Sequence, residues 1–175
     1  MKNYSIFYKK GGFKYSTQTV DVHLSMVNSF SPLQGKVLDA PSGLGEWTYG
    51  LERRGCEVTS SDICPEGLGI TWDLEQYNPS WEGKFDLVFS RGISHLHRRD
   101  IPTSYEKVVK NLSRYAPRIL IIYYTNQTNE GPNSHFNPTK KSLDDLHQLY
   151  LPSWNLRSTV KNHYYIGELT QCTLV

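Results

Sequence analysis

The run Val37-Leu-Asp39-Ala-Pro41-Ser-Gly43-Leu-Gly45-Glu-Trp47 constrains the fold of this chain more than any other segment. A short apolar stretch ends in an acid, small residues with two glycines follow, and a helix-forming stretch begins at once. Glycines at such a junction let the backbone turn sharply and come close to a ligand. A strand that feeds a helix through this kind of turn is the opening unit of an open α/β sheet, where ligands bind beyond the carboxyl ends of the strands. Asp39 stands at that end. A carboxylate there repels a pyrophosphate but suits an α-ammonium group or a coordinated water, so the expected ligand is cationic at this point.

The rest of the chain continues the alternation of strand and helix, without repeats or long linkers. Lys36-Val-Leu-Asp39 reads as a buried strand, Glu46 to Arg54 as a helix, and Glu57-Val-Thr-Ser-Ser61 as a second strand ending at Asp62. Ile70-Thr-Trp72 reads as a third strand ending at Asp73, and Phe85-Asp-Leu-Val-Phe89 as a fourth. Only Cys64 to Gly67 or so separates the second strand from the third, too little for a crossover helix, so either a single turn stands there or the third strand lies elsewhere. Pro102 to Tyr115 predicts a helix with proline in its first turn, where a missing amide hydrogen costs nothing. Arg118-Ile-Leu-Ile-Ile-Tyr123 is a continuous apolar run, as a central strand covered on both faces would be. Thr125 to Pro138 carries the Asn, Thr, Gly and Pro of a loop. Lys140 to Tyr150 predicts a helix, and Asn155 to Val175 two closing strands paired antiparallel.

A chain of 175 residues is about one domain long and encloses a substantial core. A formal charge of +2 is too small to mark a nucleic-acid surface without a clustered basic face, and Arg98-Arg99 is the strongest local run. Three scattered cysteines, Cys56, Cys64 and Cys172, form neither a disulfide ladder nor a zinc pattern, which fits a reducing compartment and no metal. Met1 to Lys10 lacks the apolar run of a signal peptide or membrane span, so a cytoplasmic protein without a membrane partner is expected.

Asp62 follows Asp39 by 23 positions, the distance at which an acid in such folds accepts hydrogen bonds from both ribose hydroxyls. Asp73 stands where a carboxylate would accept a hydrogen bond from the adenine amine, with Trp72 or Leu74 against the ring. A nicotinamide or flavin dinucleotide domain fits less well, since its fingerprint requires glycine at Thr48.

In these residues the chain resembles class I S-adenosylmethionine-dependent methyltransferases. Asp39-Ala-Pro41-Ser-Gly43-Leu-Gly45 is similar to the family's first motif, with Pro in place of the first glycine, and Phe85-Asp-Leu-Val-Phe-Ser90-Arg91-Gly92 looks like its fourth. The resemblance covers roughly Lys36 to Tyr124. It implies a Rossmann-like fold, with a mostly parallel seven-stranded sheet, an antiparallel closing strand and a shortened connection between strands 2 and 3. It also implies S-adenosyl-L-methionine as cofactor. Asp39, Ala40, Pro41, Ser42, Gly43 and Trp47 would hold the methionine part, Asp62 and Ile63 the ribose, Asp73 and Leu74 the adenine, with Ser90 beside them.

Methyl transfer is an in-line displacement, so the protein must orient the acceptor, exclude water and, where needed, remove a proton. Arg91, His95 and His97 follow the fourth strand and are the catalytic candidates, His95 the preferred base because an ordinary imidazole is neutral over much of the physiological range. Tyr123, Tyr124, Asn126 and His135 offer a far wall for the acceptor. The segment from Tyr4 to Tyr15 carries five aromatics before the first strand, and residues 1–30 are read as a lid over the cofactor or a cover for the core. The fourth strand lacks the Asn/Asp-Pro-Pro-aromatic signature of enzymes that methylate DNA amines, so a small-molecule acceptor is expected over nucleic acid. A non-catalytic binding or regulatory module with the same fold is the alternative.

Overall fold

The structure is a computed structural model that describes residues 14–91, 93, 102–125 and 139–172. Its centre is a seven-stranded sheet built from β1 (Lys36–Asp39), β2 (Glu57–Asp62), β3 (Ile70–Thr71), β4 (Leu87–Arg91), β5 (Arg118–Tyr124), β6 (Trp154–Lys161) and β7 (Tyr164–Gln171). The strand order is β3-β2-β1-β4-β5-β7-β6. The first five strands run parallel, and β7 enters antiparallel between β5 and β6. This is the Rossmann-like architecture expected, with its chain reversal confined to the β6–β7 hairpin.

The missing helix between β2 and β3 has a simple geometric reason. β3 pairs only with the last two residues of β2, Ser61 with Ile70 and Asp62 with Thr71. The chain therefore needs to retreat by only a few ångströms, not by a whole strand length, before running parallel again. Gly69 makes this possible with a φ of +91°, and a Cβ there would lie 2.2 Å from the Ser60 carbonyl oxygen. The β3–β4 connection has only a short 3-10 turn, Pro79–Trp81. Trp81 and Trp72, with Tyr77 and Tyr115, fill the sheet face there in edge and stacked ring contacts.

Helices α3 (Pro102–Tyr115) and α4 (Lys140–Tyr150) cover that same face. The opposite face is covered by α1 (Thr17–Phe30) and α2 (Glu46–Glu52), whose Val20, Leu24, Val27, Trp47 and Leu51 bury against Leu87, Phe89, Leu120 and Ile122. At the crossing of α1 and α2, Gly50 leaves no room for a Cβ, which would meet Leu24 and Val20 at 2.6 and 2.7 Å. Within residues 1–30 the described part forms α1: Ser16 caps it by accepting from the Thr19 amide, and its apolar stripe is part of the core. Two boundaries also move. α2 ends at Glu52 instead of Arg54. β4 begins at Leu87 because Asp86 turns its carboxylate onto the Lys36 amide at 2.8 Å, closing the lower end of the β1–β4 pair.

Two polar clusters lock the sheet to its helices. Glu168 on β7 is buried, accepts from Ser31 at 2.5 Å, and pairs with Arg157 at 2.6 Å and Arg118 at 3.3 Å. The same two arginines donate to the Phe30 and Pro32 carbonyls, so one carboxylate ties the end of α1 to three strands. On the other face, Tyr165 donates to Asp144 at 2.9 Å, so His147 Nδ1–H donates to Tyr165 and its Nε2 accepts from Tyr105. That buried chain joins α3, α4 and β7.

Candidate functional site

The carboxyl ends of β1, β2 and β4 are stitched together by the glycine turn. Ala40 donates its amide to Phe89 and accepts the Ser90 hydroxyl at 2.8 Å, so the start of the turn is fixed to β4. Ser42 donates its amide to the Ser61 carbonyl at 2.8 Å, fixing the middle to β2. The Ala40–Pro41 peptide is cis. Gly43 and Gly45 have φ of 59° and 93°, conformations that side chains resist, and Gly45 opens α2.

Both acids lie at this junction, and both are buried. Asp39 accepts the Thr48 hydroxyl at 2.6 Å, a bond that glycine at position 48 would not supply. Burial pushes the Asp39 carboxyl up to about 7; Asp62's charge adds to the rise, while Thr48 and Arg91 oppose it. Asp62 accepts the Gly43 amide at 2.9 Å through one oxygen and the Cys64 amide at 2.8 Å through the other. A carboxylate offers about four acceptor sites, so these bonds engage one lone pair on each oxygen. The acid at the tip of β2 is thus the anchor of the turn at the tip of β1.

The segment after β2 closes over this turn. Leu68 donates its amide to Gly43 and accepts the Ser42 hydroxyl, and a Cβ on Gly45 would meet its side chain at 2.4 Å. The residues expected to face adenine are organised less for a ligand. Ile63 is exposed, while Leu74 is buried in the core and its carbonyl accepts from Asn111. Asp73 caps its own turn, accepting the Glu75 amide at 2.9 Å.

Arg91, at the end of β4, lies between two aromatic faces. Its guanidinium carbon is 4.5 Å from the Tyr15 ring centre and 4.2 Å from that of Trp47. His23 stacks on Trp47 at 5.7 Å with planes 10° apart, and Tyr164 meets His23 edge-on at 4.6 Å. Burial and the Arg91 charge hold His23 below the usual imidazole range, so it is neutral near pH 7. His23, Trp47, Arg91 and Tyr164 line a small cleft with Met26, Val27, Phe89 and Ile122, with room for about one water molecule. His95, His97, Asn126 and His135 lie outside the described residues.

Thr48, Leu68, His23 and Tyr164 were not singled out from sequence. The one available signal was for His23, which falls on the Val20–Leu24–Val27 stripe of α1, where helical spacing places a side chain against the sheet. Among the described residues no cluster of His, Cys, Asp or Glu is arranged to hold a metal. Among the same residues no helix is long and apolar enough to cross a membrane.

No family model and no curated protein matches the sequence, but many solved structures match the fold. The N1-methyltransferase of 1,6-didemethyltoxoflavin from Burkholderia thailandensis, solved with S-adenosylhomocysteine, superposes with a TM-score of 0.70 at 16% identity, covering 98% of this chain and 86% of that one. An S-adenosylmethionine-dependent methyltransferase from Aquifex aeolicus gives 0.60 at 17%, covering 90% and 98%. The magnesium protoporphyrin IX methyltransferase of Synechocystis, solved with S-adenosylmethionine, gives 0.54 at 20%, covering 89% and 79%. The chain therefore has the fold of these methyltransferases.

Proposed function

We propose that this chain is a class I S-adenosylmethionine-dependent methyltransferase acting on a small molecule. The observation that carries the reading is the joint between the two acids and the glycine turn, at the carboxyl ends of parallel strands in a fold shared with methyltransferases. Bound there, the cofactor would supply an electrophilic methyl group. Asp39 faces the α-ammonium, the Gly43–Gly45 backbone runs along the methionine chain, and Asp62 takes the ribose hydroxyls while holding the turn. Ser90 and Arg91 bring the end of β4 to the acceptor side, and His95 and His97 supply the base where the acceptor must lose a proton. Asp73 and Leu74 are weaker members of the set, because each already has a structural task. The chain forms one domain, with residues 1–30 contributing both α1 and a cover for the site. Neighbours named for methylating 1,6-didemethyltoxoflavin and magnesium protoporphyrin IX support a small acceptor.

The test is calorimetry with S-adenosylhomocysteine against a nicotinamide dinucleotide. The first should bind and the second should not; heat with neither would end this reading. The same measurement carries a pH signature. Asp39 holds its proton up to about pH 7, and an ammonium partner favours the ionised form. Binding below pH 7 should therefore release a proton, and affinity should rise with pH and level off above 7. Calorimetry in two buffers of different ionisation enthalpy detects the release, and Asp39→Asn should abolish it.

Leu68 over Gly45 favours a second reading, a non-catalytic module whose turn stays closed. In the methyltransferase reading Leu68 moves aside when the cofactor enters, which lowers the apparent affinity. Leu68→Ala should then tighten S-adenosylhomocysteine binding by roughly three- to tenfold. In the closed-module reading neither the native chain nor the variant binds, and no methyl group from labelled cofactor reaches any acceptor in a broad screen.

A further inference from the structure

We infer that Thr48 is a positioning residue for the methionine end of the site: its hydroxyl fixes the Asp39 carboxyl and favours the ionised form that a cationic ligand group needs. The identity of that cation rests on the methyltransferase reading; the coupling of Thr48 to Asp39 does not. Both side chains are buried, and the Thr48 hydroxyl donates to Asp39 Oδ2 at 2.6 Å. Asp39 ends β1 and Thr48 stands in the first turn of α2, so the bond spans the glycine turn and joins its two ends. Among the described residues no other group donates a hydrogen bond to this carboxyl.

Asp62 shows the contrast. Its carboxylate accepts two backbone amides, which the path of the chain supplies. Asp39 has one donor, and that donor is a side chain. A threonine in a helix is stiff about χ1, and its hydroxyl often turns back onto a carbonyl of the preceding turn. Here the hydroxyl is given to the acid instead.

The surroundings of Asp39 give this bond its leverage. Burial raises the carboxyl to about 7, so its charge is balanced near neutrality, where a donor lost or gained changes the ionised fraction most. The Thr48 bond opposes that rise; of the charged side chains, Asp62 of β2 adds to it and Arg91 of β4 opposes it. From α2 only the Thr48 hydroxyl acts on the acid. Two or three donated bonds lower a carboxyl by about two pH units, so one corresponds to about one unit.

Thr48→Val removes the hydroxyl and nearly keeps the shape, whereas Thr48→Ser keeps the hydroxyl. The carbon-13 signal of the Asp39 carboxyl, identified by its loss in Asp39→Asn, reads the acid directly in the ligand-free protein. Its titration midpoint should rise by about one pH unit in Thr48→Val and stay at the native value in Thr48→Ser. Affinity for S-adenosylhomocysteine should follow. By calorimetry Thr48→Val should bind about fivefold more weakly than the native chain at pH 7 and match it by about pH 8.5, with Thr48→Ser native throughout. A merely structural role would weaken binding equally at every pH. That uniform loss, or a carboxyl midpoint that does not move in Thr48→Val, overturns the inference. Should Thr48→Val fail to fold, the native chain still decides: the Thr48 Cβ signal should titrate with the Asp39 midpoint, and a flat signal overturns the inference as well. A shifted midpoint with no heat from S-adenosylhomocysteine at any pH defeats the methyltransferase reading alone; binding with an unmoved midpoint defeats this inference alone.

Discussion

Asp62→Ala is expected to lose both stability and cofactor affinity, because one side chain serves the turn and the ligand together. Its oxygens accept the Gly43 and Cys64 amides at 2.9 and 2.8 Å in a buried site. Hydrogen bonds to a charged group contribute about 1.5–3 kcal/mol each, and the orphaned amides add their own desolvation penalty. A loss of about 3 kcal/mol in denaturant unfolding is the expected outcome. Released from β2, the glycine turn would no longer hold its backbone in the binding shape. Affinity for S-adenosylhomocysteine should fall at least about thirtyfold, roughly 2 kcal/mol. Asp62→Asn keeps one acceptor oxygen but presents an NH2 group to a backbone donor, and should lie between. An unchanged unfolding midpoint with unchanged affinity would remove Asp62 from both roles.

The second large effect is far from the site. Glu168→Ala leaves Arg118 and Arg157 facing a buried gap and Ser31 without its acceptor. Removing one partner of a buried pair costs about 3–5 kcal/mol, and the lower end applies because Arg157 is largely exposed. At this chain length about 3 kcal/mol corresponds to roughly 6–12 °C in melting temperature. Glu168→Gln, which keeps the shape and one acceptor, should lose about half as much. The pair also has a pH signature. Burial raises the Glu168 pKa, but Ser31, Arg157 and the arginine charges outweigh it and hold it below the usual glutamate value. A depressed carboxylate stabilises the fold above the ordinary value near 4.3 and loses that contribution as pH falls through its own pKa. Acidification below about pH 4.5 should therefore destabilise the native protein more steeply than Glu168→Gln. Parallel acid profiles would show that the pair contributes nothing.

What could be read from the sequence was what neighbouring residues decide. The apolar run of β5 and the acid–glycine junction after β1 carry their meaning within a few positions, and both stand where they were expected. α4 was equally legible, since Thr139 caps it and Pro152 follows it. α1 was not, because its stripe of Val20, Leu24 and Val27 is short and follows a segment crowded with aromatics. The site was legible by halves. That an acid ends β2 is a local fact; that it holds the amide of Gly43, 19 positions away, depends on strands pairing. The closure of Leu68 over Gly45 and the gathering of Tyr15, Trp47 and Tyr164 about Arg91 arise from contacts between distant segments, which no local pattern encodes.

The absence of a helix beyond β2 gives the sheet two unequal margins. Toward β5, β7 and β6 the layers are thick and cross-braced. Toward β3 the border is a two-residue strand with Ile70 half exposed and, among the described residues, no strand paired outside it. A nucleoside laid across these strand tips would keep its reactive end over the stiff middle of the molecule and rest its flat base on the pliant rim. Entry and exit would then be governed by the flank that costs least to part, leaving the alignment at the methyl group undisturbed.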